Sequence, residues 1–191
     1  MPSPIGHAIA GAAIAWVVES VDSESAASEL RPWTLTIVGA AVAMAPDLDL
    51  LAPYQHRTAT HSVLAVALVT ILATVVTGKV TRGGRRMLAW TIAAAYASHL
   101  FLDWLAQDDT APRGVQLLWP FGHQWFISGL DLFRGTARRH LFTVNSMRIN
   151  ALAVAQEVAI LGPIAAAAWL VRVKALARLS TEVARRHHAA Q

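Results

Sequence analysis

Seven side chains suited to hard or borderline divalent cations recur in an otherwise apolar chain: His7, Asp47, Asp49, His56, His61, His99 and Asp103. Neutral imidazole and carboxylate oxygen bind zinc, with manganese as the alternative, and a hydrolytic site of this kind keeps one coordination position for water. His99 and Asp103 stand four residues apart, so on a helix they share one face and reach one cation. Both fall at the end of an apolar run, where an ionisable group left unpaired is costly and marks a functional site by default.

Taken singly, most of these residues have an ordinary alternative. His7 could cap or pack a helix, Asp47 and Asp49 could be turn residues beside Pro46, and His56 could be a solvated loop residue. Glu157 is an eighth candidate ligand, or it pairs with an arginine such as Arg148. Arg57, between two of the histidines, either holds a phosphate oxygen through a two-pronged hydrogen bond or marks the membrane interface. His123 reads as a surface residue, and the tryptophans as interface anchors and packing.

The elements that position these groups are helical. No period-two segment appears, and the apolar runs are rich in Ala and Leu. Helices are predicted over about 5–19, from Pro32 to Pro46, from Thr60 to Gly78, and over about 86–106 after a turn carrying Gly83 and Gly84. A punctuated connector with a short amphipathic helix near 126–133 follows, then a long helix over about 145–173 with Pro163 inside it. In an up-down bundle this layout brings His7, Asp47, Asp49, His61 and Asp103 to one end and the basic turn at 79–86 to the other.

The chain has 191 residues, 55% of them hydrophobic and 15% charged, with a mean hydropathy of +0.43. Segments 33–51, 62–78, 87–106 and 151–171 are the stretches to set against a bilayer, which needs about 20 residues per helical span. The expected fold is an all-α polytopic membrane bundle of four or five long helices, comprising residues 1–175 and a basic tail at 176–191. No cleavable leader is expected. With no cysteine, thiolate ligands and disulfides are excluded. The net charge of +4 is spread over loops and tail without interleaved aromatics, so the expected partner is membrane lipid and not nucleic acid.

His7, APDLD at 45–49, HRTATHS at 56–62, SHLFLDWL at 98–105 and LLWPF at 117–121 together resemble the YdjM or YbcI-type family of membrane-bound metal-dependent hydrolases, over most of the chain. That family is distantly similar to zinc-dependent phospholipase C. The resemblance implies His7, Asp47, His61, His99 and Asp103 as metal ligands, with Asp49 and His56 inside matching motifs. The phospholipases carry a further HxxxE, whereas Ala153 stands four residues before Glu157 here.

The function expected is hydrolysis of a phosphoester or lipid-derived substrate by metal-activated water. Asp47 or Asp49 would act as bridging ligand or general base, and Arg57 as an oxyanion clamp. A non-catalytic metal-binding membrane protein, a cation carrier or an assembly factor, would use the same residues. Threading the helices as alternating spans puts ten Lys and Arg residues at the end opposite the cluster and six beside it. By the positive-inside tendency the metal cluster of this inner or plasma membrane protein then faces away from the cytoplasm.

Overall fold

A computed structural model describes residues 1–21, 33–51, 56–76, 82–138 and 140–189. Among these residues five α-helices make the fold: α1 (Pro4–Val21), α2 (Thr34–Met44), α3 (Val63–Val76), α4 (Arg82–Leu105) and α5 (Val144–Ala189). Short 3-10 turns at Ala45–Leu51 and Ala59–His61 carry the chain from α2 to α3. Among the described residues there are no strands, only isolated bridges pairing Ala106 with Phe133 and Val115 with Phe126.

Helix α1 is the hub and packs on α2, α4 and α5, while α3 leans on α4. The α1–α2 seam is unusually close. A Cβ added to Gly11 would lie 2.2 Å from the Gly39 carbonyl oxygen, and one added to Gly39 would lie 2.4 Å from that of Gly11. Two glycines facing each other let the backbones touch, as small residues do between helices in membranes. Small apolar clusters flank this seam. Ala15, Leu35, Met87 and Leu88 join α1, α2 and α4, and Leu102, Leu105, Phe133 and Leu161 tie α4 to α5 and the long connector.

At the far end from the histidines, Glu19 of α1 pairs with Arg172 of α5. The Arg172 guanidinium lies over the rings of Trp33 and Trp169, 5.3 and 4.9 Å from their centroids. A buried ion pair enclosed by indole faces is desolvated on favourable terms, because the rings attract the cation. Trp33 therefore serves packing, as the sequence suggested, and Trp169 shares that role.

Among the described residues, three segments are long and apolar enough to cross a membrane: Pro4–Val21, Thr34–Leu51 and Val144–Arg186. Val63–Val76 is apolar but shorter, and its outer flank exposes Leu68, Ile71, Leu72, Val75 and Val76. Helix α4 has 24 residues, but Arg82, Arg85 and Arg86 crowd its first turns.

Several expectations need correction. Gly83 and Gly84 lie inside the first turn of α4 and not in a preceding turn. The segment at 126–133 is not helical; Phe126 and Phe133 sit in the two bridges, pinned by Val115 and Ala106. The basic tail continues α5 as helix to Ala189, where a Glu182–Arg186 pair supports it one turn apart. At 46 residues α5 is about 69 Å long, more than twice a hydrocarbon core, so its exposed basic end extends past the apolar zone. The connector at 22–29, Pro32 and Gly78 lie outside the described residues.

Candidate metal centre

Local backbone chemistry sets each ligand in place. Ser3 caps α1: its hydroxyl accepts the Gly6 N–H at 3.2 Å and its carbonyl accepts the His7 N–H at 3.2 Å. His7 thus enters the site from the first turn. Pro46 has no N–H to continue α2, and the tighter turn that follows presents Asp47 and Asp49. His61 closes the second 3-10 turn, and the Thr60 carbonyl beside it accepts the Tyr96 hydroxyl of α4 at 2.7 Å. His99 and Asp103 share the inner face of α4 as their spacing requires.

Asp47, His61, His99 and Asp103 converge so that one ligand atom from each lies within 4.8 Å of all the others. His61, His99 and Asp103 are fully or almost fully buried. Asp103 Oδ2 is 3.4 Å from Nε2 of both His61 and His99, and Asp47 Oδ1 is 3.7 Å from the same two nitrogens. Four ligands bonded to a zinc-sized ion at 2.0–2.1 Å stand about 3.3 Å from one another, so these separations are close to the edges of such a polyhedron. His7 stands at the rim, its Nε2 3.5 Å from Asp103 Oδ1 and its ring stacked on His99 with centroids 3.8 Å apart.

Hydrogen bonding aims the imidazole lone pairs inward. His99 Nδ1 donates to the Ala43 carbonyl at 2.7 Å, which leaves Nε2 bare. The Thr60 hydroxyl donates to Asp49 at 2.6 Å and accepts from His61 Nδ1 at 2.9 Å, which bares the second Nε2. Both oxygens of Asp103, Oδ1 of Asp47 and both nitrogens of His7 are buried without a hydrogen-bond partner. Buried carboxylate oxygens without hydrogen bonds are disfavoured, and a divalent cation among the inner ligands satisfies Oδ1 of Asp47 and Oδ2 of Asp103 together. The donor set fits a metal.

Asp49, His56 and His61 form a second, outer group. Asp49 receives Nδ1 of His56 at 2.5 Å, the Arg57 backbone N–H at 3.2 Å and the Thr60 hydroxyl, and it lies 3.3 Å from His61 Nδ1. That is the position from which a carboxylate orients a metal-binding imidazole. His56 in turn accepts from the Arg138 guanidinium at 2.6 Å.

Arg57 does not point at the inner ligands. Its guanidinium is bound to Asp108, and its backbone takes a left-handed φ of 68°. Burial opposes ionisation of Asp108, but the Gly114 N–H and Arg57 outweigh it and hold that carboxyl below its ordinary range. Glu157 is fully buried yet belongs to neither ligand group. It accepts the Ser3 N–H at 2.6 Å and the Ser3 hydroxyl, and its carboxylate fills the space where a Cβ on Gly6 would go. Glu157 therefore holds the cap of α1 rather than Arg148. His123 is exposed, as expected of a surface residue.

Arg138, Thr60, Asp108 and Ser3 were not singled out by the sequence. Ser3 had a signal, as a serine just before an apolar helix. Arg138 had none, since only tertiary folding sets it against a residue 82 positions away.

No curated protein and no solved structure matches the chain. The description of one family does match, over residues 1–179, and that span contains every residue of both ligand groups. The chain belongs to the YdjM inner membrane protein family.

Proposed function

We propose that this chain is a membrane-embedded, metal-dependent hydrolase acting on a phosphoester or lipid-derived substrate. The observation that carries the reading is the inner group, buried ligand atoms from three chain segments without other partners, together with a cavity of about 650 Å³ that reaches the outer group at His56. His56, Arg57 and Asp108 line that cavity. A structural ion or one in transit needs no such chamber, which favours catalysis over the carrier alternative.

Asp47, His61, His99 and Asp103 would hold the ion, with His7 at the rim. What a zinc-like ion supplies at such a site is a water acidic enough to ionise near neutral pH and positive charge against a phosphoryl oxygen. The remaining roles belong to the protein. Asp49 fixes the His61 ring and accepts the Nδ1–H of His56, whose Nε2 accepts from Arg138 at the cavity wall. Asp47, its Oδ1 unpartnered, is the carboxylate next to the reacting centre.

The deciding experiment uses detergent-purified protein and a panel of phosphoester, carboxylester and amide substrates. Chelation should abolish phosphoester hydrolysis, and zinc or manganese should restore it. Tight metal binding without turnover anywhere in the panel would reject the hydrolase in favour of a metal-binding protein.

A further inference from the structure

The cavity that reaches the outer ligand group at His56 has an unbalanced polar lining. Two guanidinium groups reach it, those of Arg57 and Arg138. Arg57 spends one nitrogen on Asp108, while its Nε is buried and has no hydrogen-bond partner. Arg138 contacts His56 Nε2 and the Met1 thioether, a weak acceptor, and makes no ion pair with a carboxylate among the described residues. The other acids at the wall are already engaged. Asp108 also accepts the N–H groups of Thr110 and Gly114, and Asp109, out at the exposed rim, accepts the Gln107 amide.

A half-buried guanidinium without an anion is as anomalous as a buried carboxylate without a cation, because desolvation has been incurred and no partner offsets it. An anion beside Arg138 would supply the missing partner. Planar guanidinium forks match the tetrahedral oxygens of a phosphate. The wall also carries Leu50, Trp125 and Ile149, so apolar side chains share the chamber with the two arginines.

We infer that Arg138, with Arg57 near it on the same wall, forms a binding site for the phosphate of an organic phosphoester in this cavity, which adjoins the outer ligand group through His56. The site deepens the hydrolase reading and rests on it for its catalytic meaning, but anion binding can be measured without turnover. His56 joins the two places: it lines the cavity, accepts from Arg138, and its ring centroid is 5.1 Å from that of His61. A phosphate held by Arg138 therefore lies next to His56.

Phosphorus NMR titrations of inorganic phosphate, dihexanoyl phosphatidate and uncharged dihexanoylglycerol as competitor test the inference. They use purified wild type, Arg138→Gln and Arg138→Lys, each metal-loaded and after chelation, with circular dichroism confirming the fold. Losing a charge-assisted hydrogen bond should weaken phosphate binding about tenfold in Arg138→Gln in both metal states, with partial recovery in Arg138→Lys. Phosphatidate binding more tightly than phosphate identifies a lipid headgroup as the source, and equal binding identifies a soluble phosphoester. Phosphate binding that needs the metal and ignores Arg138→Gln would overturn the cavity site and leave the hydrolase standing. Arg138-dependent binding in a protein that neither holds metal nor turns over would do the reverse. Competition by dihexanoylglycerol as strong as by phosphatidate would also overturn the anion site.

Discussion

Nε2 of His61 and Nε2 of His99 face each other at 3.0 Å, and in the neutral rings both present lone pairs, because each Nδ1 donates a hydrogen bond on the other side of its ring. Two lone pairs at that separation repel unless something positive lies between them. In the metal-free protein a proton serves, and the carboxylates of Asp103 and Asp47 around the pair favour it. A divalent ion serves better, since it answers both nitrogens and both carboxylates at once.

The first expectation concerns metal content. Purified His99→Ala and Asp103→Ala proteins should retain less than about a tenth of the wild-type metal after dialysis, because each removes one of four ligands. Elemental analysis beside wild type measures it. Unchanged content in both variants would reduce the cluster to a scaffold.

Metal affinity should rise with pH. Burial disfavours a charged His61, but Asp103, Asp47 and Asp49 together outweigh it and raise its pKa to about 10 in the metal-free protein. A ligand must lose this proton to bind metal, so below that pKa each unit of pH should strengthen binding about tenfold. Competition with a chromophoric chelator from pH 6.5 to 8.5 reads the slope, and a flat profile would mean that His61 is not a ligand.

Asp47 and Asp49 should separate cleanly. Asp49→Asn should keep the metal at about 10- to 100-fold lower affinity, the usual effect of removing a carboxylate that orients a ligand. Asp47→Asn should lose it outright. Equal losses in the two variants would place Asp49 among the direct ligands.

Orientation follows from the distribution of basic residues. Single cysteines at Gly83 and Gly122 mark opposite ends of the bundle. Impermeant thiol reagent added to intact cells should label Gly122→Cys and spare Gly83→Cys, with the metal centre on the non-cytoplasmic side. The opposite labelling pattern would invert the protein.

The site was legible where its geometry is local. His99 and Asp103 are fixed by helical periodicity, and the placement of His7, Asp47 and His61 at one end of the bundle follows from alternating helix direction, so the order of residues along the chain already implies their convergence. Glu157 escaped because its partner is a cap 154 residues away. Arg57 was read as a phosphate clamp from its neighbours, and nothing in a sequence says that Asp108 takes one of its guanidinium nitrogens. Phe126 and Phe133 alternated plausibly for a helix, yet the connector spends its backbone hydrogen bonds on Val115 and Gln107 instead. Tertiary pairing overrode local preference there.

The Gly11–Gly39 contact divides the molecule mechanically. With main chain against main chain, α1 and α2 can neither slide nor roll without collision, so His7 and Asp47 keep a fixed register. Helix α3 has no such lock. It buries none of its 14 residues fully, leans on α4, and at about 21 Å is shorter than the roughly 30 Å hydrocarbon layer. A helix of that length responds to bilayer thickness by tilting or by drawing the lipid inward. His61 lies two residues before it, so of the four inner ligands this is the one whose position is coupled to the membrane itself.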